Sequence, residues 1–219
     1  MKRSLIKNVL TDSEYDSTVT VCGWVRTRRD SKGGFSFIEL NDGSCFANLQ
    51  IVAENNLSNY KEEILKLHPG AAIKASGIVT KSPAAGQAVE LKAQEIEVFG
   101  FCDPMKYPLG KSRISFEKLR ESAHLRARTN TFGAVSRVRN TLAYATHKFF
   151  QERDFLYFNA PIITSSDCEG AGEMFQVTTL DFDNPPIDPE TNKVDYKKDF
   201  FAKQTKLTVS GQLEAETHA

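Results

Sequence analysis

Cations, aromatic rings and amides alternate along two short segments near the start of the chain. Residues 22–40 read CGWVRTRRDSKGGFSFIEL, and FANLQIV occupies residues 46–52. Alternate residues of a strand share a face, so one predicted face combines two arginines, two phenylalanines and two amides. These residues are Arg26, Arg28, Phe35, Phe37, Asn48 and Gln50. Guanidinium groups bind phosphates, rings stack on unpaired bases and amides read base edges, so this face is typical of single-stranded nucleic-acid binding.

Two other interpretations of this face stay open. A lone hairpin of this composition is more often a solvated surface with two half-buried aromatic rings. Binding of an oligosaccharide is the other interpretation, but a neutral sugar does not require so many cations. The order of the surrounding elements favours nucleic acid.

Residues 19–98 have the rhythm of short strands. One alternating face is apolar and predicts the core, with Val19, Val21, Val25, Ile38, Leu40, Leu49 and Ile51. Turns are expected at Gly33-Gly34 and at NDGS. SNYKEEILKLHPG predicts a short helix with Ile64, Leu65 and Leu67 pointing inward, and two further strands follow. Three strands, a helix and two strands is the order of an oligonucleotide-binding (OB) barrel.

The rhythm changes after residue 102. CDPMKYPLGKS is a predicted hinge because it contains two prolines and a glycine. Apolar residues then recur at helical spacing over residues 132–149, which predicts a long amphipathic helix. A strand is expected over residues 155–164, and its end is expected to lie at a sheet edge or to leave the ladder because Pro161 cannot donate to a ladder. A last strand is expected near residue 207, with Ser210 capping a helix.

Composition and cysteine spacing limit the classes of function. The 28 Lys and Arg residues balance the 28 Asp and Glu residues, so any attraction to nucleic acid must come from a local patch. The chain lacks a signal-peptide pattern and any run of about 18 apolar residues, so we expect a cytoplasmic protein without a membrane segment. Cys22, Cys45, Cys102 and Cys168 are dispersed, which predicts no metal site. Their even number leaves one or two disulfides open.

Four strings resemble one family of enzymes. They are VCGWVRTRRDSKGGFSFIELNDGSC, LRESAHLRARTN, FFQERDFLYFNAPIITSSDCEGAGEMFQVTTLD and DFFAKQTKLTVSGQLEAET. Together they resemble the bacterial-type asparaginyl-tRNA synthetases, within the aspartyl, asparaginyl and lysyl subgroup of class II synthetases. Aspartyl enzymes share the barrel, but they usually carry a proline and a lysine where Gly211 and Ala215 stand here.

The resemblance implies a role for the barrel face. In this subgroup the barrel binds the tRNA anticodon, whose central base is uridine. Phe37 matches the ring that stacks on this base, Gln50 matches the amide that reads it, and Arg28 matches a nearby contact.

The resemblance also implies roles in the second half of the chain. The long helix and Pro161 are similar to motif 1, which builds a homodimer interface. Glu169 matches a carboxylate that holds the amino group of asparagine, and Ser210 and Gln212 match residues lining the amino-acid pocket. Glu216 lies where the side-chain amide is sensed, and a carboxylate accepts from an amide but repels aspartate.

We therefore expect an all-β OB-fold barrel followed by the start of an α+β class II catalytic domain, an antiparallel sheet with a long motif 1 helix. The expected domains are an anticodon-binding barrel over residues 1–102, a hinge over 103–128 and the early catalytic domain over 129–219. The two arginine-bearing motifs of the family, motifs 2 and 3, are missing. The chain is thus expected to be an N-terminal part that does not form an adenylate alone.

For the parent protein, the resemblance implies ATP-dependent attachment of asparagine to tRNA through an aminoacyl-adenylate. The implied partners are the tRNA anticodon loop, asparagine, ATP with Mg²⁺, and a second copy of the chain. ATP and Mg²⁺ are not expected to bind well to this chain alone. Two alternatives remain: a non-catalytic OB-fold RNA-binding protein derived from a synthetase, and aspartyl-type specificity.

Overall fold

The computed structural model describes residues 2–84, 86–110, 114–166 and 174–218. Two units can be distinguished, Met1–Leu142 and Ala143–Ala219. The strands of the barrel lie inside the predicted range 1–102, while the domain boundaries at residues 102 and 128 stay predictions.

Five strands of the first unit close into a barrel in the order β1-β2-β3-β5-β4. They are β1 (Thr18–Ser31), β2 (Phe35–Asn41), β3 (Leu49–Glu54), β4 (Ala72–Lys81) and β5 (Val89–Gly100). Neighbouring strands are antiparallel except β3 and β5, which pair in parallel at Ile51↔Leu91 and Val52↔Lys92. We call this parallel pairing the seam. The predicted OB barrel is confirmed.

The barrel interior is filled by the predicted apolar face. Ile38, Leu40, Leu49 and Ile51 have no exposed surface. Burying each such side chain contributes about 1.5 to 3 kcal/mol relative to an exposed position. A short helix before the barrel, α1 (Ile6–Asp12), adds Ile6 and Val9 to the same core.

A β-bulge interrupts the alternation of β1. Val25 pairs with Leu40, but the next pairs are Thr27↔Glu39 and Arg28↔Ile38, so the register shifts at Arg26. Because the bulge adds one residue to β1, each later residue of this strand points to the opposite face from the one that simple alternation predicts. The expectation of a single alternation from residue 19 to residue 28 is therefore wrong beyond Val25.

The predicted helix between β3 and β4 is also corrected. This segment forms turns and a single 3₁₀ turn, Ile64–Lys66. Ile64 and Leu67 are buried as expected, whereas Leu65 is 37% exposed. A short α-helix forms few hydrogen bonds to offset the free-energy cost of its nucleation. The tighter 3₁₀ turn still brings Ile64 and Leu67 to the core.

A long helix follows the barrel, as predicted. After α2 (Phe116–Glu121) and a 3₁₀ turn (Arg126–Arg128), α3 runs over Asn130–Gln151. Its apolar stripe, Val135, Val138, Leu142 and Phe149, is between 47% and 61% exposed. About half of the surface of each of these side chains is exposed, so the stripe is available for contacts.

The second unit contains a small antiparallel sheet in the order β6-β8-β7. Its strands are β6 (Ile163–Thr164), β7 (Gln176–Val177) and β8 (Thr205–Leu207), and α4 (Gln212–His218) follows. The strand expected over residues 155–164 is limited to its last two residues, while its expected position at a sheet edge is correct. Pro161 provides no N–H for a ladder, so β6 begins after it. The assignment of this unit to a class II catalytic domain stays a prediction.

Candidate nucleic-acid interface

Strands β1, β2 and β3 present an outward face with two phenylalanines at its centre. Phe37 lies opposite Arg29 on β1 and opposite Val52 on β3. Directly opposed residues share a face, and the alternating residues of β2, including Ile38, are buried. Phe35 and Phe37 therefore point away from the core and are both half-buried.

The two rings and a cation form a compact platform. The ring centroids of Phe35 and Phe37 are 5.1 Å apart, and their planes are at 85°. The guanidinium carbon of Arg29 lies 6.0 Å from the centroid of Phe37. This arrangement supplies a flat surface for a base and a positive charge for its phosphate.

Arg28 does not share this face, contrary to expectation. Because of the bulge it lies opposite Ile38, and its side chain is 15% exposed. Its Nε donates to the carbonyl oxygen of Leu67 at 3.1 Å, and its guanidinium pairs with Asp30. The neighbouring Arg29 occupies the outward position. The sequence carries both arginines, but it gives no signal that a bulge selects the second.

Gln50 is held in place by a partner that sequence reasoning missed. Its side-chain Nε2 donates to Oε2 of Glu90 at 3.0 Å, across the seam. Glu90 also accepts from the hydroxyl of Ser82 at 3.2 Å and from Nε2 of Gln87 at 3.5 Å. Gln50 is 8% exposed rather than freely exposed. One of the two N–H donors of the Gln50 amide is thus used by Glu90, and this bond fixes which end of the amide faces the carboxylate.

Arg26 and Asn48 lie in a different place from Phe37. Arg26, the extra residue of the bulge, donates to the carbonyl oxygen of Arg128 at 2.5 Å and to Oδ1 of Asn130 at 3.2 Å. Asn48 is exposed and accepts from Nδ2 of Asn41 at 3.1 Å. Both line a separate cleft beside the platform. The six predicted residues are thus divided: Phe35, Phe37 and Gln50 lie on the platform, Arg26 and Asn48 line the cleft, and Arg28 lies at the barrel end.

The predicted amino-acid pocket is represented by three described residues in the second unit. The hydroxyl of Ser210 accepts from the backbone N–H of Gln212 at 3.3 Å, at the start of α4. Nε2 of Gln212 donates to Oε1 of Glu216 at 2.9 Å, one turn along the exposed helix. Pro161 is exposed just before β6. Glu169 lies outside the described residues.

Asp199 organises the same unit, although the sequence did not single it out. Its carboxylate accepts from the hydroxyl of Thr178 at 2.6 Å and from the backbone N–H groups of Thr179 at 2.9 Å and Phe200 at 2.8 Å. These bonds, the Thr178 bond foremost, lower the pKa of Asp199 from 3.8 to about 2. Its bonds tie the end of β7 to the segment before β8, so we interpret it as structural.

The described residues contain no group of three or more His, Cys, Asp or Glu side chains arranged to hold a metal ion. No helix in the described part of the chain is long and apolar enough to cross a membrane. Cys22, Cys45 and Cys102 are free thiols.

The chain is similar in sequence to one domain family and to curated full-length proteins. A family model described as OB-fold nucleic acid binding domain, of the tRNA anticodon type, matches residues 19–99. The asparagine–tRNA ligase of Photobacterium profundum is 57% identical over 205 residues, which is 93% of this chain and 44% of that protein. The enzyme of the same name from Vibrio cholerae is 56% identical, with the same coverage.

Solved structures have a similar fold. The asparaginyl-tRNA synthetase of Pyrococcus horikoshii, complexed with asparaginyl-adenylate, matches the whole chain with a TM-score of 0.77 and 22% identity, over 45% of its own length. A putative aspartyl-tRNA synthetase from Leishmania major matches 97% of the chain with a TM-score of 0.71 and 18% identity, over 39% of its length. The chain thus spans less than half of the length of these relatives. By sequence, residues 19–99 are similar to the OB-fold nucleic-acid-binding family, and over 93% of its length the chain is similar to an asparagine–tRNA ligase.

Proposed function

We propose that this chain is the anticodon-binding barrel and the beginning of the class II catalytic domain of a cytoplasmic asparagine–tRNA ligase. The parent protein joins asparagine to its tRNA through an aminoacyl-adenylate, with ATP and Mg²⁺. The names of the relatives and the matched barrel family support this proposal. No step through Mg²⁺ is assigned to the described residues.

The platform of Phe35, Phe37 and Arg29, with Gln50 beside it, is the observation that carries the proposal. Phe37 stacks on the central base of the anticodon, and Arg29 neutralises a neighbouring phosphate. The free oxygen of the Gln50 amide accepts the ring N–H that uridine carries and cytidine lacks. Arg28 stays a predicted contact, but its bonds to Leu67 and Asp30 favour a role in holding the end of β1.

The second unit provides the amino-acid side of the reaction in this proposal. Ser210 and Gln212 line the pocket for asparagine, Glu169 holds its amino group, and Glu216 accepts from its side-chain amide. Gln212 already donates to Glu216, which fixes the carboxylate on one face of α4. Two copies of the chain associate through residues 130–165, including Pro161.

The anticodon assignment is tested with Phe37→Ala and an anticodon stem-loop of tRNA(Asn). Loss of base stacking should weaken binding by about 1 to 3 kcal/mol, measured by fluorescence anisotropy at fixed salt. Phe99→Ala is the control, because Phe99 is another exposed barrel ring, 58% exposed and outside the platform. Equal affinities of the Phe37 variant and the Phe99 variant would contradict the proposal.

A further inference from the structure

A second cleft of about 600 Å³ lies beside the platform, between the barrel and the first turns of α3. Its floor carries Trp24 and Phe46, which are 43% and 53% exposed. Three arginines surround these rings: Arg26 from the bulge, Arg128 from the 3₁₀ turn and Arg137 from α3. The cleft therefore combines apolar flat surfaces with positive charge.

The arginines of this cleft lack a direct carboxylate partner among the described residues, and the nearest glutamate, Glu39, accepts from Asn48 at 3.5 Å and lines an adjoining cavity with Arg26 and Arg128. None of the three arginines forms an ion pair with any residue that the structure describes. The described residues that line the cleft include no Asp or Glu, whereas four glutamates line the cleft near residues 54–63 and 92–98. Unpaired guanidinium groups around aromatic rings are complementary to a polyanion that carries flat groups.

Among the three arginines, Arg128 has the most guanidinium N–H donors without a hydrogen-bond partner among the described residues. Its guanidinium carbon lies 4.7 Å from the centroid of the Trp24 ring, and its guanidinium donates no hydrogen bond to a described residue. Stacking on Trp24 holds the guanidinium plane while its N–H groups stay free, which suits phosphate oxygens. Arg137, by contrast, already donates to the carbonyl oxygens of Gly43 at 2.9 Å and Gly133 at 3.4 Å.

The cleft continues the platform along the same strands. Trp24 pairs with Asn41, and Arg29 pairs with Phe37, all on the outward side of β1 and β2. At about 3.3 Å per residue, Trp24 lies at most about 16 Å along β1 from Arg29. An RNA strand that leaves the platform in this direction reaches the cleft within a few nucleotides.

We propose that this cleft binds the sugar–phosphate backbone of the same RNA, outside the nucleotides held on the platform, with Arg128 and Arg137 on phosphates and Trp24 against a sugar or base. The proposal rests on the proposed function, because it adds a second contact for the tRNA. A protein partner or a second copy of the chain is the competing occupant, and the measurements below distinguish them.

The test uses the 219-residue chain and a full-length tRNA(Asn) transcript, with affinity measured as a function of KCl concentration. Arg128→Gln should weaken binding about threefold to tenfold and lower the slope of log K against log salt by about 0.7 for each lost phosphate contact. Arg137→Gln should act in the same direction. Arg120→Gln is the matched control, because Arg120 is exposed on α2, does not line the cleft and lies outside residues 130–165.

A conservative variant of Arg128 and a footprinting experiment distinguish loss of a phosphate contact from loss of the fold. If Arg128→Gln unfolds by circular dichroism, Arg128→Lys replaces it and should keep the salt slope while binding more weakly, since lysine lacks the planar guanidinium. In hydroxyl-radical footprinting, Arg128→Gln should lose protection at nucleotides different from those lost by Phe37→Ala. Loss at the same nucleotides would contradict a separate contact.

Failure of this proposal differs from failure of the proposed function. A parent chain that does not bind the tRNA removes both. The cleft proposal alone is overturned if the parent binds the tRNA, Phe37→Ala binds it weakly, and the cleft variants bind as well as Arg120→Gln. Cleft variants that change the oligomeric state in light scattering but not the RNA affinity also overturn it, because the cleft is then filled by a second copy.

Discussion

At the scale of single residues, the contact between the buried Gln50 and the partly buried Glu90 decides how a side-chain amide is oriented. A side-chain amide has a donor end and an acceptor end, and free rotation would let it present either one. Glu90 can only accept when ionised, so it binds the NH₂ end and leaves the oxygen for a ligand. The pair therefore favours a base with an N–H group at the reading position.

Glu90→Gln should reduce this selectivity. Glutamine both donates and accepts, so the Gln50 amide is no longer fixed in one orientation. We expect the preference for a central uridine over a central cytidine to fall by about tenfold to a hundredfold, through the loss of a charge-assisted bond of about 1.5 to 3 kcal/mol. The measurement is the affinity of the parent and of the variant for two anticodon stem-loops, one with a central uridine and one with a central cytidine.

Ser82→Ala is the control for this prediction. It removes a second hydrogen bond to the same carboxylate, at 3.2 Å, but keeps the charge that orients Gln50. Its selectivity should stay close to that of the parent. A Glu90→Gln variant with unchanged selectivity would show that the amide is oriented by something else.

At the scale of elements, the longest pairing of the barrel leaves no room for a side chain at one position. β4 and β5 form ten residue pairs with a register shift beside Gly77. A Cβ atom on Gly77 would overlap the backbone carbonyl of Lys92. A backbone obstacle cannot rotate away as a side chain can, so strain must spread along both strands.

Gly77→Ala should therefore lower the free energy of unfolding by about 3 kcal/mol. Gly100→Ala, on the same strand pair, meets nothing within 4 Å and should change it by less than about 0.5 kcal/mol. Urea unfolding followed by the fluorescence of Trp24, the single tryptophan, measures both variants. Similar stabilities of the two variants would contradict this account of the glycine.

The elements also show how far the sequence could be interpreted. Alternation with period two was sufficient for the barrel strands and their core residues, because each strand buries one face against the same interior. The exchange of Arg28 and Arg29 was not predictable, since a bulge adds a residue without changing composition. The bond between Gln50 and Glu90 was not predictable either, because it joins residues 40 positions apart. For Ile64–Lys66 the pattern predicted the burial of Ile64 and Leu67, but for this segment and for β6 it overestimated regular structure.

At the scale of the whole molecule, the apolar stripe of α3 predicts self-association. Leu142 is 61% exposed and Val138 is 57% exposed, and exposed apolar surface favours contact with another surface. Val138→Glu should shift the chain towards monomer in size-exclusion chromatography with light scattering. Tyr144→Glu adds the same charge on the opposite side of the helix and serves as control. A parent chain that stays monomeric and soluble at high concentration would contradict association.

The seam has a consequence for how the barrel can move. The barrel is shut by two residue pairs between β3 and β5, whereas its other junctions are longer ladders. Gln50 and Glu90 stand on opposite sides of this seam, each next to a paired residue. A ligand that requires the oriented Gln50 amide can bind only those protein molecules in which the seam is closed. Opening of the seam would separate the amide from the Glu90 carboxylate that orients it. Affinity is then multiplied by the closed fraction, and each bound RNA shifts the population of barrels towards closure.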